Sequence, residues 1–590
     1  MLKFSVPRTW NNPFQGWEVE PKIIKNLSRG TPRPTHFRRT KRGTEHLVPP
    51  CSVPSRVPNA PSLVGFSHKK SQVQLMRPTS ARSKSVETSF LIDKGEEERE
   101  RSKFIPLVRR EMAKGVRKAP QQSRVHRSWI LHGLSYDLFL VLWEIRNGIK
   151  QRKTTWQDGV LGTQCPIPPN TNWTYKFQTK DQIGTLSYFP STKLHRAAGG
   201  FGGFNVAHRS VIAVPYPIPA GEFTLLVGDW YKTGHKELQQ TLDSGKNLPL
   251  PDGLLINWVL KNAVLTGEKG KTYNFRVSNV GIATSINFRI QSHTMTLVEV
   301  EGAHTLQEVY ESLDIHPGQS VAVLVTPHGS VRDYFIVAST RFTKPILTTT
   351  GILRYAGSNT PALKPLPIGP TYHIHWSMKQ ARTIRLNLTA NAARPNPQGS
   401  FHYGTIPVVR RLLLANTATK LDGKLRYAIN KVSYVDPETP LKLADWLNIP
   451  GVFNFNTIKD TSTPGPAVYG ASVIGTALHD FMEIVFQNTE ATLQSWHLDG
   501  YSVYAVAYGH AANWTSAMRR RYNLVDAVPR HTVQVYPLGW TAVLVSLDNK
   551  GMWNLRSAIW SKRVWNNEHS LFTENDMPLN TLHCGKAKQH

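Results

Sequence analysis

From Trp129 onward the chain consists of short apolar runs, β-branched or alternating with polar residues, each closed by Gly, Pro, Asn or Asp. FTLLVGDWY (223–231), TMTLVEVEG (294–302), SVAVLVTPHG (320–329), HTVQVYPLGW (531–540) and TAVLVSLDN (541–549) are of this kind. Runs of this length and composition predict strands. Their recurrence over more than 400 residues predicts an all-β chain of repeated sandwiches or barrels. Helical periodicity is sparse, with short helices predicted at 235–244 (HKELQQTLDS) and 440–448 (PLKLADWLN). Pro-rich connectors at 214–219 and 361–370 divide the region into three blocks. We read these as β modules at 129–216, 217–357 and 372–586.

The first 128 residues have a different texture. They are rich in Pro, Ser, Lys and Arg, with 13 prolines before Val125 and a charge run GEEERERSK at 95–103. This composition buries too little apolar surface to offset chain entropy, so the segment is expected to be mostly disordered, with one short helix near 96–114. The split alters the meaning of the net charge of +31. Residues 1–150 hold 29 basic and 12 acidic side chains, whereas the other 440 hold 42 and 28. More than half of the basic excess therefore lies outside most of the β region, and no nucleic-acid partner is expected for the modules.

Three cysteines, Cys51, Cys165 and Cys584, exclude a disulfide-dense scaffold or a Cys-rich zinc module. No apolar run reaches the length of a membrane span, and the first residues, MLKFSVPRTWNNPF, carry no continuous apolar stretch of the signal-peptide kind. AAGGFGGF at 197–204 lacks the Lys and Ser or Thr of a phosphate loop and reads as a tight strand connection. HIHW places His373 and His375 two apart, on one face if the segment is a strand, a weak candidate for copper or zinc. Asn172, Asn387 and Asn513 head glycosylation sequons in the β region, and Asn26 heads one in the tail.

Ordered motifs carry a specific resemblance. WQDGVLGTQCPIPP (156–169), DQIGTLSYFPS (181–191), HRAAGGFGGF (195–204), LLVGDWYKTGH (225–235), ARPNPQGSFHYG (393–404), QSWHLDGY (494–501) and SLDNKGMWNLRS (546–557) resemble the plant monocopper-oxidase-like, skewed-growth family, which includes the pollen ascorbate oxidase homologues. The resemblance spans about 147–586. It implies three tandem cupredoxin-like sandwiches secreted to the cell wall, with cell-wall polysaccharide or a cell-surface protein as partner. It also implies a disulfide between Cys165 and Cys584, leaving Cys51 unpaired. The expected family sequence before WQDG is missing, so the first sandwich should be incomplete and expose an apolar face or an unpaired edge. Residues 1 to about 140 read as an altered first exon or a misjoined gene model.

The same resemblance locates the copper positions. The oxidases carry His-x-His pairs and a type 1 centre of two His and one Cys, since imidazole and thiolate set copper affinity and potential. Where the last module of an oxidase reads HPWHLHGH, this chain reads QSWHLDGY: Gln494 replaces a type 1 His, His497 is kept, and Asp499 and Tyr501 replace later histidines. Arg556, Ser557 and Ala558 occupy the His-Cys-His positions, and Lys562 falls near a further His. In the first module Phe189, Pro190 and Ser191 replace His-Gly-His, and IRNG at 145–148 stands for HWHG. The expected protein has no catalytic residues and binds no cofactor, or a single copper at His497. The alternative is an active copper oxidoreductase of the ascorbate oxidase or laccase type.

Overall fold

The computed structural model describes residues 2–3, 144–160, 175–179, 181–370, 373–455, 457–564 and 568–573. The basic segment 1–128 apart from residues 2–3, the expected helix near 96–114, Asn26, Cys51, Cys165, Asn172 and Cys584 lie outside the described residues.

The all-β expectation holds. In the first module, strands Glu144–Asn147, Gly184–Pro190 and Gly202–Val206 form an antiparallel sheet with Gly184–Pro190 in the middle. Leu186 and Val206 are buried with Ile149, Tyr175 and Phe177, so the apolar face is covered. Among the described strands, each of the two outer strands pairs on one side only.

The second module is a full sandwich. Its five-stranded sheet runs Leu313–Ile315, Ile286–Ile290, Asp333–Thr340, Thr348–Tyr355, Lys261–Gly267. The facing sheet is centred on Ser320–Val325, Tyr273–Asn279 and Gly221–Trp230. SVAVLV is buried at all six positions because one face meets the other sheet and the opposite face meets neighbouring segments. The third module repeats the plan with an eight-stranded and a five-stranded sheet. Both modules contain the same two parallel pairings. Gly221–Trp230 lies parallel to Tyr273–Asn279 as Arg410–Leu421 lies parallel to Phe481–Asn488. Likewise Lys261–Gly267 lies parallel to Thr348–Tyr355 as Val473–Thr476 lies parallel to Glu568–Thr573. Sequence periodicity does not reveal this internal repeat, since it resides in strand order.

The predicted helices form at His235–Asp243 and Leu441–Trp446. The first buries Leu238 and Leu242, one turn apart, in a cluster with Phe189 of the first module, Ile282 of the second, and Tyr427 and Trp560 of the third. That cluster joins residues of all three modules. The glycine-rich stretch is a tight connection: Gly199 sits at φ +91° and leads into the strand Gly202–Val206, where a Cβ on Gly202 would lie 2.4 Å from the Tyr188 ring.

One expectation is overturned. HIHW does not form a strand: His373 caps the helix Ile374–Thr383, and His375 lies in its first turn. Two residues apart on a helix diverge by about 200°, so the two imidazoles share no face. The helix forms because Ser377 and Met378 bury against the third module, with Ser377 Oγ 3.2 Å from the Tyr536 hydroxyl. No helix among the described residues is long and apolar enough to cross a membrane.

Candidate functional site

The strand Gln494–Leu498 lies between Gly551–Ser557 and Thr532–Val535, in a register that sets His497 opposite Arg556 on one side and Thr532 on the other. All five of its residues are buried. The chain turns after Leu498 and brings Asp499 back to His497, whose Nε2 donates to Asp499 Oδ1 at 2.8 Å. With that proton fixed, His497 Nδ1 accepts from Thr532 Oγ1 at 2.8 Å, and Thr532 Oγ1 in turn accepts from His531 Nδ1 at 2.9 Å. Both nitrogens of His497 are thus engaged.

Arg556 completes the group. Its Nη2 lies 3.3 Å from Asp499 Oδ1 and 3.3 Å from Asn147 Oδ1, and the side chain is fully buried. Asn147 belongs to the IRNG strand of the first module and donates through Nδ2 to the Gly318 carbonyl at 3.0 Å. Residues 409 positions apart therefore meet at the seam of first and last modules. Residues 147, 497, 499 and 556, which the resemblance sets at former copper-ligand positions, lie together here.

The electrostatics oppose a metal cation. Burial first, and then the Arg556 charge, push His497 down to about 4, so it is neutral near pH 7. Burial alone raises Asp499, but Arg556 and His497 beside it hold its carboxyl below the ordinary value. Arg196 approaches from the first module, pushed down to about 9 by burial and by Arg556. Two guanidiniums thus share a buried neighbourhood where a trinuclear copper cluster would need one of the highest local densities of imidazole.

The other residues that the resemblance sets at copper-ligand positions are also engaged by their neighbours. Gln494 Nε2 donates to Glu490 Oε2 at 3.3 Å, and Lys562 Nζ donates to the same oxygen and to Thr492 Oγ1 at 3.2 Å. Two positions that resemble copper-ligand sites thus converge on one carboxylate. Burial lowers the Lys562 ammonium while Glu490 acts to keep it charged. Ser557 accepts from the Ile559 amide at 3.2 Å, and the Ala558 amide donates to the Ser495 carbonyl at 2.7 Å. In the first module Phe189 packs edge-on against Trp560 at 5.2 Å with Arg196 over its ring at 4.1 Å, and Ser191 Oγ donates to the Gly159 carbonyl. Tyr501 donates to the Asn549 carbonyl.

Other candidates are placed apart. His373 and His375 are exposed. Asn387 heads a turn in which its Oδ1 accepts from the Thr389 and Ala390 amides, and Asn513 is exposed on a loop with its Oδ1 accepting from Gln487.

Two features were not read from the sequence. A groove of about 650 Å³ on the third module is lined by Arg382, Arg385, Arg521 and Arg530 beside Tyr508, Tyr522 and Trp540. Among the described residues, the one group of His, Cys, Asp or Glu close enough to hold a metal ion is His208, Glu299 and His304. Neither shows a contiguous motif, since the residues are drawn from separate loops and strands.

Comparison with known proteins agrees with the fold. Multicopper oxidase family models match residues 141–211, 221–358 and 438–572. The L-ascorbate oxidase homolog of Brassica napus is 49% identical over 469 residues, covering 76% of this chain and 84% of that protein. Monocopper oxidase-like protein SKU5 of Arabidopsis thaliana is 45% identical over 469 residues, covering 74% and 80%. Among solved structures, Fet3p, a multicopper oxidase that functions in iron import, matches with a TM-score of 0.61 at 19% identity, covering 74% of this chain and 80% of that one, a likeness of fold.

Proposed function

The chain belongs to the multicopper oxidase family, and from that premise we propose that it is a member without oxidase chemistry, a secreted cell-wall glycoprotein that acts in directional cell expansion or pollen tube growth through what it binds. One observation carries the reading: Arg556, which the resemblance sets at a copper-ligand position, is buried and held by Asp499 and Asn147. The residues present do not fit copper. A type 1 centre needs a thiolate, and Ser557 stands at the Cys position; a trinuclear cluster needs imidazoles, and Asp499, Arg556 and Asn147 stand at theirs. A single copper at His497 is disfavoured as well, because both ring nitrogens are already bonded. Exposed Asn513 and partly exposed Asn387 support the glycoprotein reading.

The groove on the third module supports an acidic wall polysaccharide as ligand. Aromatic rings offer apolar faces to sugar rings, and guanidiniums pair with carboxylates in a planar fork. Arg382, Arg385 and Arg521 are all exposed at the rim, with Arg385 bridged to Asp526 at 2.6 Å and Arg382 donating to the Tyr508 carbonyl at 2.6 Å. An acidic uronide oligosaccharide is expected to bind more tightly than a neutral glucan of equal length, and more weakly as salt rises. The double variant Arg382→Gln with Arg521→Gln is expected to lose about tenfold in affinity, or roughly 1.4 kcal/mol. Equal affinity for acidic and neutral oligomers, measured by titration calorimetry, contradicts this assignment.

A further inference from the structure

At the seam of the first and second modules, three ligating side chains outside the group around His497 meet. Glu299 lies on the strand Met295–Val300 and His304 on Ala303–His304, antiparallel neighbours whose register puts the two residues opposite each other. His208 comes from the segment following the first-module strand Gly202–Val206. Its Nε2 is 2.6 Å from Glu299 Oε1, and His304 Nδ1 is 3.7 Å from the same oxygen. The two imidazole rings stack at 5.2 Å with an interplanar angle of 12°.

A salt-bridged core does not account for all of this. His304 is 2% exposed, and its Nδ1 has no hydrogen-bond partner although it is aimed at the carboxylate. A buried polar atom left unmet carries a cost that an ion would remove. The charge balance also suits a cation. Arg276 Nη1 contacts Glu299 Oε2 at 3.1 Å, but Arg276 is matched by Glu222 at 2.8 Å, so the cluster of one guanidinium and two carboxylates keeps a net negative charge. Tyr216 donates to Glu299 Oε1 at 3.0 Å and orients the carboxylate, as outer-sphere donors do around bound metals. A cavity of about 10 Å³ adjoins His208 and His304, and Glu299 does not line it.

We propose that His208, Glu299 and His304 bind one divalent first-row cation, with zinc the ion that this pair of imidazoles and a carboxylate suits, and that the ion staples the first module to the second. The three ligand atoms lie within 4.8 Å of one another. Tetrahedral zinc with bonds near 2.0 Å places ligand atoms about 3.3 Å apart, so rotamer-scale adjustments close the site, with water in the fourth position. His208, the least buried of the three, gives the ion its path in. This goes beyond the functional reading above and is independent of it, because zinc has no redox chemistry.

The test uses the full chain, stripped with a chelator and titrated with zinc chloride. We expect one zinc per chain, a rise of a few degrees in Tm on loading, and at least a tenfold weaker affinity in His208→Asn. That variant also loses the His208 contact to Glu299, so its metal-free fold is checked by circular dichroism and the zinc-induced rise in Tm is compared with that of the parent. Cobalt(II) serves as a second readout: the visible bands of a tetrahedral ion should appear in the parent and vanish in both His208→Asn and Glu299→Gln. No zinc uptake, or uptake with unchanged affinity and an unchanged cobalt spectrum in the variants, overturns the proposal.

Discussion

Replacing Asp499 by alanine is expected to destabilise the protein by about 3–5 kcal/mol, the usual cost of breaking one side of a buried ion pair. The change removes the acceptor of His497 Nε2 and a carboxylate partner of Arg556, both fully buried. It leaves the Arg196 and Arg556 charges acting on each other in a dry seam. Arg556→Met is expected to cost less, since Asp499 keeps the imidazole. The double variant Asp499→Ala with Arg556→Met should be less destabilised than the sum of the singles by about 0.5–3 kcal/mol, because it removes both charges together. Denaturant unfolding of the four proteins measures this coupling. Strict additivity would mean that the two groups do not support each other and that the seam is held by something else.

A pH series isolates the second group. His497 has an ordinary value of 6.5 and is pushed down to about 4 by burial and by Arg556. Between those values the unfolded chain takes up a proton that the folded chain refuses, so stability is lost as pH falls. The contribution of the neutral ring is therefore complete above pH 6.5 and exhausted near pH 4, a difference of about 3 kcal/mol at 1.36 kcal/mol per unit. Glu301 acts in the opposite sense. Burial pushes it up to about 7, so its contribution is present below its ordinary 4.5 and is lost as pH rises through about 7. The comparison must therefore be made as a difference between the parent and His497→Gln, which keeps a polar side chain in place. The parent's advantage should shrink steadily from pH 6.5 to 4. A difference that stays constant over that window would show that the ring is already charged in the fold, or that it is not buried.

Much of this architecture was legible because strand burial leaves a direct trace in composition. SVAVLV and TAVLVS have no charged residue, since both faces of those strands are covered. The substitutions at 494, 499, 556 and 557 were legible for a different reason: surrounding residues such as Trp496, Gly500 and Trp553 keep the motif frame in which the changes stand out. What the substituted residues do was not legible. Lys562 and Gln494 meet only through Glu490, outside any copper motif, and Asn147 reaches Arg556 across the module seam. HIHW misled because alternation over four residues is too short to separate a strand from a helix start, and the burial of Met378 one turn later decides it. Glu299 was hidden in the opposite way. In MTLVEV it reads as the polar face of an alternating strand, yet it is 1% exposed, because the first module covers that face and supplies His208.

We propose that ion pairs and apolar packing fill the positions from which copper would be held and that the chain does not reduce oxygen. The direct measurement is copper content together with oxygen uptake on the full chain, produced with copper supplied and assayed with ascorbate and with a phenol. The account predicts no thiolate-copper absorption and no uptake above the protein-free control, whatever copper adheres. Four coppers per chain accompanied by ascorbate- or phenol-dependent oxygen uptake would contradict it.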